Sequence, residues 1–192
     1  RYKSEFNIYP NKKYICDLPD TGWTILRLDN NWQLFFKNGI PCPKYLPAHV
    51  HSDLLSFNLY YKSTPVLIET GTSIYQNSSS RKFERSYEAH NGLQFSKPSK
   101  NKEKQKWIEP VEVWNSFRAA KKASPLSREY GIKSNGDLWV SGIHDAYLKY
   151  GINHKREIIL KKISSSEIKL SIFDFVKANS SYQCRLLFHL GP

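Results

Sequence analysis

The sequence contains no methionine, only three cysteines and no long apolar run. Cys16, Cys42 and Cys184 are odd in number and lack CxxC spacing, so they do not define a disulfide framework or a redox compartment. A Cys16–Cys42 bridge is an option that nothing else in the sequence supports. No segment approaches the roughly 20 apolar residues that cross a bilayer, so we expect no membrane span. Because an intact translation product begins with Met and this chain begins with Arg1, we expect an excised or processed piece.

Acidic residues are scarce relative to basic ones. The chain has 17 Asp and Glu against 29 Lys and Arg, a formal net charge of +12. Such a surface attracts polyanions, which include nucleic acid, anionic membrane and acidic polysaccharide, and charge alone does not choose among them. No nucleic-acid-binding motif accompanies the basicity, so we expect no nucleic-acid partner. The basic run 97–106 is typical of a solvated loop.

Helix patterns are rare, and short apolar or alternating runs are frequent. Only Val111–Ala123 has helical spacing, and we keep helix and non-helix open there. Asn135-Gly136 between two such runs predicts a tight hairpin, whereas Asn77–Arg85 and Lys97–Pro110 are predicted irregular. We therefore predict one all-β domain over residues 1–192, an antiparallel β-sandwich with little helix. The predicted strands are Tyr14–Leu18, Trp23–Leu28, Trp32–Phe36, Leu54–Tyr61, Pro65–Ile68, Gly92–Phe95, Leu138–Ile143, Ala146–Tyr150, Arg156–Leu160, Glu167–Phe173 and Gln183–Phe188.

Two histidines and a carboxylate lie where neighbouring strands are expected to meet. Residues i and i+2 of a strand share a face, so His49 and His51 are predicted to project together. Glu69 ends the next apolar run, and His90 precedes a third. Two imidazoles and one carboxylate match a three-ligand zinc site; the alternative is half-buried, hydrogen-bonded histidines without metal. A cupin site is disfavoured, because no Glu follows His51 at cupin spacing.

The wider pattern around these residues is specific. Its segments are His49-Val-His-Ser-Asp-Leu-Leu-Ser-Phe-Asn-Leu59, Pro65-Val-Leu-Ile-Glu-Thr-Gly-Thr72, Tyr75, Arg81-Lys-Phe-Glu-Arg-Ser86 and Ala89-His-Asn91, flanked by Asp20–Arg27, His144–Tyr147 and His154–Glu157. In order and spacing they resemble the carboxy-terminal β-sandwich domain of heparinase II/III-like polysaccharide lyases. Two positions depart from the family pattern: Glu69 stands where the family has Asp, and Thr70 where it has Pro.

The resemblance implies site roles for six residues. His51, Glu69 and His90 take the metal-ligand positions, with zinc expected in a mainly structural role. His49 takes the place of an active-site histidine that contacts the uronate carboxylate or the leaving group. Tyr75 is expected to act as acid/base or to position substrate. Arg85 is expected either to neutralise the uronate or to hold its loop.

The resemblance also implies a reaction, a partner and a location. Family members cleave uronic-acid-containing acidic polysaccharides by β-elimination, a carbon–oxygen lyase reaction. They need an amino-terminal α/α toroid domain, which this chain lacks, so the isolated domain is expected to be inactive. The location is expected to be periplasmic or secreted. The alternative function is a non-catalytic, carbohydrate-binding or scaffolding sandwich that retains the metal site.

Overall fold

A computed structural model describes residues 13–43, 45–99, 105–115, 117–120 and 123–192. These residues form mostly antiparallel strands, which confirms the all-β, sandwich-like prediction. One α-helix, α1 (Ser79–Arg85), occurs among them. The strands are β1 (Tyr14–Leu18), β2 (Trp23–Leu28), β3 (Trp32–Lys37), β4 (Phe57–Tyr61), β5 (Thr64–Leu67), β6 (Gly92–Ser96), β7 (Val113–Asn115), β8 (Arg118–Ala119), β9 (Pro125–Ile132), β10 (Leu138–His144), β11 (Ile152–Lys162), β12 (Ile168–Ala178) and β13 (Gln183–Leu187).

Two larger sheets organise the chain. Strands β1 to β5 form a five-stranded meander in chain order, and β9 to β12 form a four-stranded sheet in the order β12-β11-β10-β9. β6 pairs with β13, and β7 pairs with β8. Every pairing in these sheets is antiparallel, and short turns join consecutive strands such as β2 to β3 and β4 to β5.

The main core lies where the two larger sheets face each other. Leu34, Phe36 and Phe57 of the first sheet and Val140 and Ile158 of the second are all fully buried in one cluster. Side chains alternate between this core and the outer face along strands such as β2 and β11, as a period of two requires. Burying each large apolar side chain contributes about 1.5–3 kcal/mol, which explains why these alternating runs select sandwich packing.

The hairpin prediction and most strand predictions are confirmed. β1 and β2 have the predicted bounds, and Asn135-Gly136 turns the chain between β9 and β10, with Gly136 at φ 82°. The strand predicted at Ala146–Tyr150 is wrong. Residues Leu148–Tyr150 form a 3₁₀ turn that ends at Gly151, whose φ of 74° suits glycine.

The helical option for Val111–Ala123 is wrong. The segment contains the β7–β8 hairpin, with Ser116 and residues 121–122 outside the described residues. Trp114 and Phe117, which would form the apolar helix face, are 58% and 52% exposed. α1 lies instead in the segment predicted irregular, where the Ser78 hydroxyl accepts from the Arg81 N–H and caps the helix.

The remaining predictions from composition have simple outcomes. Cys16, Cys42 and Cys184 are free, so the Cys16–Cys42 option is not realised. Lys97 and Lys106 at the ends of the basic run are exposed, and residues 100–104 of that run lie outside the described residues. Within the described ranges, no helix is both long and apolar enough to span a membrane.

Candidate metal and substrate site

The segment that carries His49 and His51 is irregular. Pro47–His49 forms a 3₁₀ turn, and β4 begins only at Phe57, so the predicted shared strand is wrong. Arg85 holds the segment from behind, because its Nε donates to the Val50 carbonyl at 2.8 Å. Its own carbonyl accepts from the Ser52 N–H at 2.9 Å. Hydrogen bonds with the side chain and the carbonyl of Arg85 therefore order this loop, in place of the strand pairing that was expected.

Asn91 brings the ends of two strands beside the next histidine. Its Nδ2 donates to the Phe57 carbonyl at 2.8 Å and to the Ile68 carbonyl at 2.9 Å. Its Oδ1 accepts from the His189 N–H at 2.7 Å. Since His90 precedes Asn91 and Glu69 follows Ile68, this fully buried amide fixes the separation of the two candidate ligands.

A buried ion pair that sequence reasoning missed supports the same region. Arg156 is 0% exposed and donates from Nε and Nη2 to both Asp174 oxygens, each at 2.8 Å. Its Nη1 donates to the Leu55 and Asn91 carbonyls at 3.0 Å. The available signal was a charged residue at an inward position of β11, between buried His154 and Ile158. Arg156 thus ties the two histidine-bearing segments to the second sheet.

The three predicted metal ligands lie next to one another. His90 Nδ1 is 3.1 Å from Glu69 Oε2, and the His51 and His90 rings are 5.5 Å apart between centroids. The Ser56 hydroxyl donates to the other Glu69 oxygen. His51 Nε2 lies 3.3 Å from the Thr72 hydroxyl. The order His, Glu, His along the sequence therefore becomes a cluster in space.

Burial and charge set the protonation of the two imidazoles. Burial, followed by the charge of His90, lowers the pKa of His51 to about 4. Burial also acts to lower the pKa of His90, but the Glu69 carboxylate outweighs it and raises that pKa. Without a cation, the arrangement thus stabilises a protonated His90 against Glu69, with His51 neutral.

His51, Glu69 and His90 offer two imidazoles and one carboxylate, which are donors that zinc accepts. Two ligands of a tetrahedral zinc at bonds of about 2.0 Å lie about 3.3 Å apart, close to the His90–Glu69 contact. His90 Nε2 is buried and has no hydrogen-bond partner among the described residues. Neutral imidazole and carboxylate are the donors that zinc takes. However, no group of three or more His, Cys, Asp or Glu side chains stands ready to hold a metal in the described ranges. The donor chemistry fits, with one pair at ligand spacing and His51 beside it.

An exposed aromatic rim borders this cluster. Tyr75 is 55% exposed, and its ring packs edge-on against His49 with centroids 5.7 Å apart. The Arg81 guanidinium lies 5.1 Å from the Tyr75 ring, within cation–π distance. Arg81 also donates to the Thr72 hydroxyl at 3.2 Å, and Thr72 contacts His51. Thr72 and Arg81 therefore connect the rim to the half-buried His51.

Arg85 occupies a different position from the other predicted catalytic residues. Its side chain is 0% exposed, and its guanidinium donates to the Val50, Asn115 and Pro47 carbonyls. Burial, with the nearby Arg81 charge, lowers the pKa of Arg85 to about 10. These contacts support the loop-holding role of Arg85, whereas Arg81 contacts the rim.

The chain is similar to a known protein family and to a solved structure. The sequence model of the family described as heparinase II/III-like, C-terminal, matches residues 10–192. No curated protein matches this chain. Among solved structures, a crystal structure of heparinase III is similar at 16% identity with a TM-score of 0.53. That match covers 90% of this chain and 23% of the heparinase III chain, so it supports the fold alone.

Proposed function

The chain belongs to the heparinase II/III-like, C-terminal family, and we propose that it is the carboxy-terminal part of a lyase that cleaves uronic-acid-containing polysaccharides by β-elimination. One observation carries the proposal: His49 and Tyr75 form an exposed rim directly beside the His51, Glu69 and His90 cluster. The excess of basic residues favours an anionic polymer over a neutral one.

The chemistry requires a base and a partner for the uronate carboxylate. Removal of the C5 proton places negative charge on the uronate, and that charge is costly unless hydrogen-bond donors face it. The electron pair then forms the C4–C5 double bond while the C4–O4 bond breaks, and the departing oxygen takes a proton. We assign the proton transfers to Tyr75 and the carboxylate or leaving-group contact to His49.

Arg81 positions the rim in this proposal. Its guanidinium packs against the Tyr75 ring and holds Thr72, so the phenol and the His51 loop keep a fixed relation. Removing Arg81 should therefore lower kcat through misplacement of Tyr75. Arg85 is assigned the role of holding the 47–52 loop.

We propose that His51, Glu69 and His90 hold a zinc ion with a structural role. A bound divalent cation would neutralise Glu69 and cross-link the three chain segments that carry the ligands. None of the proton-transfer assignments above depends on it.

The rest of the proposal concerns the whole protein. The family places substrate in a cleft between the sandwich and an amino-terminal toroid, so we propose that such a domain accompanies this one and completes the active site. We also propose a periplasmic or secreted location, where polysaccharide substrates occur. This chain by itself is then expected to show little or no lyase activity.

The full-length protein tests the proposal when it is incubated with several uronate polymers. Elimination creates a conjugated, unsaturated uronate, so ultraviolet absorbance should rise. Tyr75→Phe should lower kcat by about 100-fold or more, as expected for loss of a proton-transfer group. His49→Ala should lower kcat by a similar factor, as expected for loss of a donor to the developing negative charge. Tyr45→Phe is the control, since Tyr45 is 86% exposed and belongs to no contact of the site. Equal activity of all three variants would contradict the assignments.

A second candidate function is a carbohydrate-binding or scaffolding sandwich without catalysis. The buried Arg85 guanidinium favours it, because a cation that is 0% exposed and donates to three backbone carbonyls is not available to a uronate. The two functions differ in one result. Retention of a polymer without any rise in absorbance, for every uronate polymer tried with the full-length protein, would favour the binding module.

A further inference from the structure

A groove of about 410 Å³ crosses the outer face of the five-stranded sheet. This volume lies within the range of about 300–1,000 Å³ found for small-molecule sites. The groove shares no residue with the candidate metal and substrate site. It is lined by Trp23, Gln33, Phe35, Asn58, Tyr60 and Ser63.

The register of the sheet explains why these residues meet. Gln33 pairs with Tyr60, and Phe35 pairs with Asn58, between β3 and β4. Directly paired residues project from the same face of a sheet. Their chain neighbours Leu34, Phe57 and Leu59 point the other way, into the core. Because successive side chains of a strand point to opposite faces of the sheet, the half-buried aromatic side chains lie on its outer face.

The aromatic side chains form a platform with polar groups beside it. The Phe35 and Tyr60 rings pack edge to face with centroids 5.7 Å apart, and Trp23 lies across the sheet on β2. Asn58 Oδ1 is buried and accepts no hydrogen bond from any described residue. A buried amide oxygen without a donor is costly, and a ligand hydroxyl would satisfy it. Aromatic faces beside hydroxyl acceptors are suited to pyranose rings, which expose C–H faces and equatorial hydroxyls.

Positive charge borders the platform. The Lys37 ammonium lies 4.8 Å from the centre of the Trp23 ring, although it also contacts Asp53 at 3.5 Å. Arg27 is exposed and pairs with Gln33, so it projects from the same face. A sugar chain that carries carboxylates complements these cations better than a neutral one.

We infer that this groove is a second, non-catalytic site that binds a segment of acidic polysaccharide. The aromatic rings of Trp23, Phe35 and Tyr60 contact sugar C–H faces, and Asn58 accepts a sugar hydroxyl. Lys37 and Arg27 lie where uronate carboxylates pass. The inference rests on the proposed function for its ligand class but not for its geometry. Such a site would keep a long polymer attached while the cleft acts on another part of it.

Binding of the full-length protein to alginate and to dextran tests the inference. His49→Ala is used as the background so that the polymer stays intact, and affinity is measured at low and high salt. Trp23→Ala and Tyr60→Ala should each weaken alginate binding about 3- to 10-fold, and this loss should persist at high salt. Tyr130→Ala is the matched control, because Tyr130 is 43% exposed on β9 of the other sheet. Dextran should bind more weakly than alginate.

A near-isosteric change tests the polar group of the groove, with circular dichroism spectra recorded to show that the variant is folded. Asn58→Asp keeps the acceptor oxygen and adds a negative charge, so alginate binding should fall most at low salt. Asn153→Asp, at an exposed position of β11, is its control. Groove variants that bind alginate like the background, or controls that weaken it equally, would overturn the inference. So would dextran binding as tight as alginate binding.

Failure of the groove and failure of the lyase proposal give different results. Absorbance is measured on the protein with native His49 in a separate arm. Elimination together with unchanged binding by Trp23→Ala and Tyr60→Ala refutes the groove and leaves the lyase. Groove-dependent binding without elimination refutes the lyase and leaves the groove.

Discussion

Asp174→Asn should strongly destabilise the protein, although it exchanges only one carboxylate oxygen for an amide nitrogen. The substitution keeps the shape of the side chain but removes the negative charge that faces Arg156, which is 0% exposed. Arg156 cannot lose its proton, so its charge would remain buried. His154 Nε2, at 2.7 Å from Asp174 Oδ1, would lose its charged partner as well.

The magnitude follows from burial and from the carboxylate itself. Breaking a buried ion pair from one side costs about 3–5 kcal/mol. Burial raises the pKa of Asp174, but hydrogen bonds from His154 and Arg156 outweigh it and lower that pKa to about 2. Relative to its ordinary value of 3.8, this lowering corresponds to about 2 kcal/mol of charge stabilisation. That part is present above pH 3.8 and is lost as the pH falls toward 2.

Urea unfolding followed by circular dichroism measures the loss in free energy of unfolding, and thermal unfolding measures the fall in Tm. For a chain of this size, 3–5 kcal/mol corresponds to a fall in Tm of roughly 6–20 °C. Glu129→Gln is the control, because Glu129 is 58% exposed and lies 3.8 Å from Lys155. Such an exposed pair contributes at most about 1 kcal/mol. If Asp174→Asn costs no more than Glu129→Gln, the buried pair does not stabilise the site as reasoned.

Three further predictions concern metal, acid and backbone. A chelator should lower the Tm of the wild-type protein but not that of His90→Ala, as differential scanning fluorimetry can show; equal shifts would argue against the ligand role. Burial lowers the pKa of His144 to about 3 in the folded protein. Below pH 6.5 the unfolded chain therefore binds a proton at His144, whereas the folded protein does not until about pH 3. The free energy of unfolding should therefore fall as the pH is lowered from 6.5 toward 3. This fall should be less steep in His144→Asn than in the exposed control His49→Asn. Equal pH dependence of the two variants would refute this. Gly22→Ala should lower the free energy of urea unfolding more than Gly71→Ala does. Both glycines have positive φ, but a Cβ at Gly22 would lie 2.1 Å from Gly39 Cα, whereas nothing lies within 4 Å of a Cβ at Gly71. Equal losses would show that the contact at Gly22 relaxes.

The strands were predictable where alternation is strong. In β2, Leu26 and Leu28 face the core while Arg27 is exposed, and the predicted bounds are correct. β9 was missed because its exposed positions hold Leu126, Tyr130 and Ile132 in place of polar residues. The positions of apolar residues in β9 therefore do not distinguish its buried face from its exposed face.

The helix was not predictable from apolar spacing. The buried residues of α1 are Arg81, Glu84 and Arg85, so its inward face is polar and shows no hydrophobic period. The opposite holds for Val111–Ala123, where apolar residues at helical spacing remain exposed in a hairpin. In both segments tertiary hydrogen bonds and packing outweigh local pattern.

The candidate site was predictable in its members but not in its geometry. The sequence order of His51, Glu69 and His90 identified residues that do meet in space. The route was different from the one expected, because hydrogen bonds of Asn91 and Arg156, to which sequence reasoning assigned no role, bring these segments together. Buried polar residues at inward positions carry that information, and apolar periodicity does not.

The most direct test of the account is the mass balance of products from one defined uronate oligosaccharide and the full-length protein. Elimination breaks the C4–O4 bond without water, so we expect two fragments whose masses add up to that of the substrate, one of them unsaturated. Fragments that together contain one added water, or no cleavage of any uronate oligosaccharide, would contradict the proposed β-elimination.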